Sequence, residues 1–314
     1  MGFKKGRQYA TTWLERAEYR GYIHSYQTIG GIKYYPIDCC VEALKRDPEY
    51  AEAWCKLGLE IKGMKAGEDT DKKLAGMDLF KDEPKITDDK RLYYAQINAA
   101  NFCFDKAIEI EPKNVEAWYE KGSWYNSWLN HEKEQIECFL EVTKLDPKHK
   151  AAWFDLANAY ASDLKYSWSS VGKAVKCYDK AIALAPDNLH VVYAKKADLL
   201  SECVKQSEWF YRRDDSDLKK KYSSGKDALM CYDKALEIRA GYGYATYKKG
   251  MLLERLSRYE EALECFEGFG DKYGIDRDTA TSVWNSNKLH RQVLRDKLKP
   301  NKVGSTESFE IYCD

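Results

Sequence analysis

The chain has 314 residues, of which 44% are apolar and 32% are charged, and its 51 basic side chains balance its 51 acidic ones. This composition supplies a sizeable core and excludes a disordered chain, and the zero formal charge excludes a long-range field that would attract nucleic acid or an anionic membrane. No window approaches the ~18 uninterrupted apolar residues of a membrane span, and the opening residues lack the apolar segment of an export signal. We therefore expect a cytoplasmic protein with no membrane association.

Two short sequence motifs alternate along most of the chain. The first opens on Ala-Trp and has a small residue four positions after the Trp, at 53–61 (AWCKLGLEI), 117–125 (AWYEKGSWY) and 152–160 (AWFDLANAY). The second opens on an aromatic residue and closes on Pro or its equivalent, at 104–112 (FDKAIEIEP), 139–147 (FLEVTKLDP), 178–186 (YDKAIALAP) and 232–240 (YDKALEIRA). Offsets of three and four residues place these side chains on one helical face, and proline ends a helix because it cannot donate a backbone hydrogen bond. The sequence therefore predicts repeated pairs of helices.

The combined pattern of Trp, Leu-Gly, Tyr, Ala, Phe, Ala and Pro resembles that of the tetratricopeptide-repeat (TPR) family. The resemblance implies an all-α fold, a right-handed superhelical solenoid of about six helix-turn-helix repeats plus a C-terminal capping helix. We predict this solenoid over 1–298, with a flexible tail at 299–314. The predicted repeats are 10–48, 51–112, 115–147, 150–186, 189–240 and 243–275, followed by the capping helix at 276–298. In the fifth repeat, Val192 and Lys196 take the Trp and Gly positions.

The second and fifth repeats are longer than the ~34 residues of the family's unit, which predicts insertions at 62–91 and 203–222. Residues 68–90 mix acids with bases, so we expect a solvated polar loop there, with one short helix near 71–81. Residues 208–222 interleave aromatic and basic side chains, as a single-stranded nucleic-acid site does, but their acids favour extended helix ends whose rings pack together. Whether the insertions bind a partner or only extend helices is left open.

The predicted capping helix has two kinds of side chain. We expect Val283, Trp284, Leu289, Val293 and Leu298 to cover the last core face, with Arg291, Arg295 and Lys297 in water.

The sequence contains no phosphate-binding glycine loop, nucleophile elbow or His-Glu-x-x-His motif. Six of the ten cysteine positions recur at one place in the second helices, and equivalent positions on successive pairs are too far apart for a disulfide or a shared metal ion. We expect these cysteines to be small buried residues, with no metal, no cofactor and no catalysis.

In the TPR family, the first helix of each pair lines the concave surface, and the residue after the Trp position points into the groove. Here these residues are Tyr119, Phe154, Tyr193 and Tyr247, followed one turn later by Ser123, Asn158, Ala197 and Met251, with Asn126 a further turn along. We predict an aromatic-walled, weakly charged groove that binds a peptide or helix, with Asn126 and Asn158 facing its backbone amides. The competing interpretation is that these rings only pack on adjacent first helices.

The resemblance and the groove together predict a non-enzymatic protein-protein interaction scaffold. Two alternatives stay open: a helical-repeat protein that binds RNA, and a self-assembling scaffold whose weakly patterned first repeat packs on another copy. The groove is poor in Arg and Lys, so we expect a protein or peptide partner and no nucleic acid.

Overall fold

The computed structural model describes residues 2–18, 26–64, 74, 77–80, 92–125, 132–162, 168–209, 224–272 and 277–298. The chain divides into two compact units, Met1–Tyr166 and Ser167–Asp314. Both units are built from packed helix pairs, which confirms the helical-repeat fold class. The fourth predicted repeat has one helix in each unit, and a single solenoid over 1–298 stays a prediction.

Besides the short 3-10 helix Asp78–Phe80, the first unit contains seven described α-helices: α1 (Gly2–Glu18), α2 (Pro36–Arg46), α3 (Ala51–Lys62), α4 (Leu92–Ile110), α5 (Val115–Trp124), α6 (Glu132–Leu145) and α7 (Lys150–Ser162). Each of these helices packs on the next, and α3 also packs on α5. This arrangement stacks consecutive helix pairs as expected for TPR-like repeats.

The second unit contains six described helices: α8 (Trp168–Ala183), α9 (Leu189–Trp209), α10 (Lys226–Ile238), α11 (Gly243–Arg255), α12 (Tyr259–Lys272) and α13 (Arg277–Leu298). Successive helices again pack together, and α9 also contacts α11.

Hydrogen bonds explain why Trp follows Pro by six residues in three repeats. The indole Nε1 donates to the carbonyl oxygen of that proline, at 2.8 Å for Trp54, 3.0 Å for Trp118 and 2.9 Å for Trp153. The small residue four positions later permits close packing, because a Cβ at Gly122 would lie 2.9 Å from Cε1 of Phe139. The recurring sequence motifs therefore reflect two contacts, a hydrogen bond within the turn and close packing between the paired helices.

A short β-hairpin that the sequence pattern did not predict lies between α1 and α2 of this helical fold. Strand β1 (Gln27–Ile29) pairs antiparallel with β2 (Ile32–Tyr34). Gly30 and Gly31 join the strands with φ values of 58° and 82°, a conformation that glycine adopts at no steric cost. The ring of Tyr34 lies 4.9 Å from that of Trp13, so the hairpin packs on α1.

An ion pair recurs between a first helix and the second helix before it. Nζ of Lys121 lies 2.5 Å from Oδ1 of Asp105, 16 residues earlier in the chain. Nζ of Lys249 and Oδ1 of Asp233 form the same pair at 2.6 Å. In both cases the lysine directly precedes the glycine that contacts the aromatic ring of its pair.

The equivalent pair shows that the predicted register of the fifth repeat is wrong by one residue. Lys196 contacts Asp179 at 2.6 Å, but the two residues are 17 positions apart. We place the additional residue in the turn between α8 and α9, where Ala185 has a φ of 46°. Tyr193 therefore takes the Trp position and Ala197 the small-residue position. The side chain of Ala197 is 0% exposed, so its predicted place on a groove surface is wrong.

Helix α13 packs on α12 as a capping helix, but with a different face from the one predicted. Leu294 and Asn287 are 0% exposed, whereas Leu289 is 65% exposed and Val293 is 37% exposed. Nδ2 of Asn287 donates to the carbonyl oxygen of Phe266 at 3.1 Å. The face of α13 that packs on α12 thus contains positions 287, 290 and 294. The prediction considered apolar residues alone and therefore missed this face, which includes the polar residues Asn287 and His290. The side chains of 283 and 284 lie outside the described residues.

The first insertion contributes to the core, so its prediction as a solvated loop is wrong for the part that the structure describes. Leu74 and Phe80 are 0% exposed and belong to the apolar cluster of the first unit. The ring of Phe80 lies 5.8 Å from that of Phe102 on α4. In the second insertion, α9 continues through Trp209, and residues 210–223 and the predicted tail at 299–314 lie outside the described residues.

Candidate functional site

An open cleft of about 230 Å³ lies among α5, α6 and α7 of the first unit. Its lining consists of Ser123, Gln135, Phe139, Asp155, Asn158, Ala159 and Ser162. We call this site the α5–α7 cleft. Phe139 and Ala159, which are 1% and 2% exposed, form its apolar floor, and the other lining residues carry hydroxyl, amide and carboxyl groups. Two residues predicted from the sequence, Ser123 and Asn158, therefore lie at one site.

Ser123 is held at the end of α5 by a lysine from α3. Nζ of Lys62 donates to Oγ of Ser123 at 2.6 Å and contacts Oε2 of Glu120 at 2.7 Å. The Ser123 hydroxyl in turn donates to the carbonyl oxygen of Glu120 at 3.0 Å. The charge of Lys62 is thus neutralised beside the cleft.

Tyr119 connects the first helices of two consecutive pairs. Its hydroxyl donates to Oδ2 of Asp155 at 2.8 Å, and its ring centre lies 4.7 Å from that of His149 and 5.8 Å from that of Phe139. Burial raises the pKa of both the Tyr119 phenol and the Asp155 carboxyl group, while hydrogen bonds from Tyr119 and Asn158 act in the opposite direction on Asp155. For Tyr119, this is the packed arrangement that the competing interpretation describes.

The Gln135 side chain caps the C-terminal end of α5. Its Nε2 donates to the carbonyl oxygens of Tyr125 at 2.9 Å and Gly122 at 3.3 Å. Gln96 does the same for α3, with bonds of 2.7 Å to Ile61 and 2.9 Å to Met64. These glutamines satisfy carbonyl groups that a helix end leaves without partners.

The other residues predicted for the groove, as far as the structure describes them, do not line the α5–α7 cleft. Phe154 is half-buried on α7, and Asn126 lies outside the described residues. In the second unit, Tyr193 and Met251 are half-buried. The ring of Tyr247 lies 5.8 Å from that of Phe266 and 6.3 Å from that of His290.

A family model described as tetratricopeptide repeat matches residues 115–149, which span α5, α6 and the turn after α6. The α5–α6 pair is therefore a tetratricopeptide repeat by sequence, and the chain has the TPR fold. The uncharacterized protein MJ0572 of Methanocaldococcus jannaschii is 33% identical over 72 residues, which cover 21% of this TPR chain and 76% of that protein.

Solved TPR structures resemble the chain at low sequence identity. YrrB, described as a TPR protein with an unusual peptide-binding site, is 14% identical, with a TM-score of 0.50 over 81% of this chain and 99% of YrrB. Yeast Tom70 is 15% identical, with a TM-score of 0.48 over 95% of this chain and 56% of Tom70. At this identity the likeness to YrrB concerns the fold alone.

Two groups of polar residues in the TPR units were not predicted as site residues. Asp155 and Ser162 line the cleft on the same stripe of α7 as Asn158, at offsets of three and four residues that extend the predicted positions along the helix. In the second unit, Asp198 accepts hydrogen bonds from the hydroxyls of Tyr232 at 2.8 Å and Tyr244 at 2.5 Å. The register error hid Asp198, because the corrected register places it one residue after the small position, as Ser123 is.

The cysteines of the TPR pairs are free thiols in all nine positions that the structure describes. Eight are buried and Cys265 is half-buried, which confirms the prediction of small buried residues for the eight. Burial raises the pKa of Cys39 to about 11 and that of Cys138 to about 12. The described residues include no group of three or more His, Cys, Asp or Glu side chains placed to hold a metal ion. Among the described helices, none has the length and apolarity that a membrane span requires.

Proposed function

We propose that this TPR protein is a non-catalytic scaffold that binds an extended segment of a partner protein in the α5–α7 cleft. The observation that carries the proposal is the composition of that cleft, in which Asn158, Ser162 and Asp155 surround an apolar floor formed by the almost fully buried Phe139 and Ala159. Binding sites commonly combine apolar surface with a few placed polar groups. The amide and hydroxyl groups suit the backbone of a polypeptide, and the apolar surface suits one of its side chains.

In this proposal, Phe154 on α7 adds aromatic contact area beside the cleft. Tyr247 and Met251 of the second unit are half-buried and are proposed to make further contacts with the partner, whereas the corrected register removes Tyr193 from this row of groove positions. The peptide-binding site named for YrrB belongs to YrrB, and the proposal rests on the cleft of this chain. The cytoplasmic location stays a prediction from the sequence.

The cleft favours a polypeptide over RNA. Asp155 is its charged lining residue, and no Lys or Arg is among the residues that line it. A site that binds the phosphate backbone requires basic side chains and loses affinity steeply as salt rises.

Panning a random peptide library displayed on phage against the immobilised full chain tests the proposal. Selected peptides are then titrated by fluorescence anisotropy against the wild type, Ser162→Arg and the matched control Ser169→Arg. Ser162 is an exposed residue at the cleft, and Ser169 is an exposed residue on α8. We expect Ser162→Arg to weaken binding about tenfold or more, because the new side chain fills the cleft, and Ser169→Arg to bind as the wild type does.

Equal binding by both variants would place the peptide site elsewhere and contradict the proposal. Tight, steeply salt-dependent binding of a single-stranded RNA oligonucleotide, with no peptide selected, would favour the RNA alternative instead.

A further inference from the structure

A second groove, of about 420 Å³, lies between α5 and α6 and shares no lining residue with the α5–α7 cleft. Trp118 and Lys121 line it from α5 and Tyr125 from the residue that follows α5, and the residues from α6 are Glu134, Glu137, Cys138, Leu140 and Glu141. We call it the glutamate groove.

The groove combines an aromatic surface with an exposed aliphatic side chain. Trp118 and Tyr125 are half-buried, and the indole N–H of Trp118 already has its partner in the carbonyl oxygen of Pro112. Leu140 is 43% exposed. An apolar side chain of a partner would therefore remove apolar surface from water here without leaving the indole N–H unbonded.

The wall of the groove is acidic and regularly spaced. Glu134, Glu137 and Glu141 follow one another at intervals of three and four residues, so they lie on one face of α6, about 4.5 and 6 Å apart along its axis. Lys121 is the basic residue of the lining, and Asp105 of α4 neutralises it at 2.5 Å. Glu141 also contacts Lys144 at 3.0 Å, but the Lys144 side chain is 72% exposed, and such pairs contribute little.

Helix α13 carries the complementary pattern. Lys288, Arg291 and Arg295 follow one another at the same intervals of three and four residues; Lys288 and Arg295 are exposed and Arg291 is half-buried. Leu289 beside them is 65% exposed. Arg295 also contacts Glu267 at 2.6 Å, with the two side chains 54% and 45% exposed, so this pair can exchange partners at low cost. Within 287–298, where the side chains of α13 are described, the exposed face includes one acid, Asp296.

We propose that the glutamate groove of one molecule binds α13 of a second copy of this chain. Lys288, Arg291 and Arg295 then face the three glutamates, and Leu289 packs against the apolar surface of the groove near Leu140. Two helices have the same rise per residue, so one orientation brings all three charges of each row opposite one another. The exposure of Leu289, which a capping role does not explain, is accounted for by this contact.

The two surfaces are different, so the association is head-to-tail and adds copies until a ring closes or a filament grows. It differs from the self-assembly alternative based on the first repeat, and it does not depend on the proposed peptide site.

Sedimentation velocity on the full chain, over a range of concentrations and at low and high salt, tests the proposal. We expect the wild type to associate as its concentration rises and to dissociate at high salt. Glu137→Lys with Glu141→Lys reverses the groove, and Lys288→Glu with Arg295→Glu reverses the helix. Each reversed chain should need about tenfold or more higher concentration to associate. An equimolar mixture of the two should associate again, because the reversed groove of one matches the reversed helix of the other.

Two further variants separate this contact from unfolding and from general charge effects. Leu289→Ala removes an exposed side chain and should weaken association while leaving the circular dichroism spectrum unchanged. Glu264→Lys, on the exposed surface of α12, changes one charge outside both surfaces and should associate as the wild type does. A wild type that stays monomeric at low salt overturns the proposal, and so does a mixture of reversed chains that fails to associate.

Discussion

The hydroxyl of Tyr119 donates a hydrogen bond to the carboxylate of Asp155, with 2.8 Å between the two oxygen atoms. The residues lie on α5 and α7, the first helices of consecutive TPR pairs, and are 36 positions apart in the chain. This bond fixes the carboxylate at the side of the α5–α7 cleft, and it joins two helices that the repeat pattern alone describes only as neighbours.

Tyr119→Phe removes this hydrogen bond and keeps the ring. We expect the free energy of opening of α5 and α7 to fall by about 1–2 kcal/mol, because the partly buried carboxylate loses a donor. Amide hydrogen exchange of the two helices measures the change. Tyr9→Phe is the matched control, since the Tyr9 side chain is 64% exposed and should change stability little. Equal effects of the two substitutions would show that the Tyr119 bond has no net stabilising role.

Asp155→Asn tests the electrostatics of the same carboxyl group. Burial raises its pKa in the folded state, so ionisation costs stability as pH rises through the folded pKa, and this cost is absent below the unfolded value of about 3.9. We therefore expect the Asn variant to gain stability over the wild type near pH 7 and to lose that advantage near pH 3. Urea unfolding across this pH range measures the difference, and an advantage that is constant with pH contradicts the assignment.

The corrected register of the fifth repeat is tested by a pair of adjacent substitutions. Ala197 is fully buried at the small-residue position, so Ala197→Leu should cost about 1–3 kcal/mol by overpacking. Lys196→Leu removes an ion pair at a half-buried position and should cost less than about 1 kcal/mol. Thermal unfolding monitored by circular dichroism distinguishes them. The register predicted from the sequence requires the opposite result, in which Lys196→Leu is the more destabilising substitution.

The capping role of α13 is tested at two leucines. Leu294 is 0% exposed, and Leu294→Ala should destabilise the α12–α13 contact by about 2–5 kcal/mol. Leu289 is 65% exposed, and Leu289→Ala should stay within about 0.5 kcal/mol of the wild type. Hydrogen exchange of α12 and α13, at high salt and low protein concentration, checks both values without interference from association.

Much of the fold follows from the sequence because its repeated contacts need particular residue types. The Trp–Pro spacing marks a hydrogen bond in the turn, and the small residue opposite Phe139 marks close packing of paired helices. The hairpin also had a signal, since the consecutive Gly30 and Gly31 suit the positive φ values of a tight turn between two β-prone runs. The repeat pattern is too weak between α1 and α2 to predict this hairpin.

Other features could not be read from single positions. One additional residue in a turn shifts the fifth repeat, and its sign is the 17-residue spacing of an ion pair that only the structure shows. The buried face of α13 contains Asn287, whose burial depends on the carbonyl oxygen that it reaches. Ser123 and Asn158 are two of the residues predicted for the groove, and both line the cleft, whereas the role of Gln135 depends on a helix end that lies ten or more residues away in the chain.

The reaction of the buried cysteines with a thiol reagent can report local unfolding of the helix pairs. Cysteine is nucleophilic as the thiolate, and burial keeps these side chains both protonated and out of reach of a reagent. Modification therefore requires that the surrounding helices separate locally. Five second helices carry a buried cysteine at equivalent places, namely Cys39, Cys103, Cys138, Cys177 and Cys231. The order in which an alkylating reagent reaches these thiols reports, helix pair by helix pair, where the native chain loosens first.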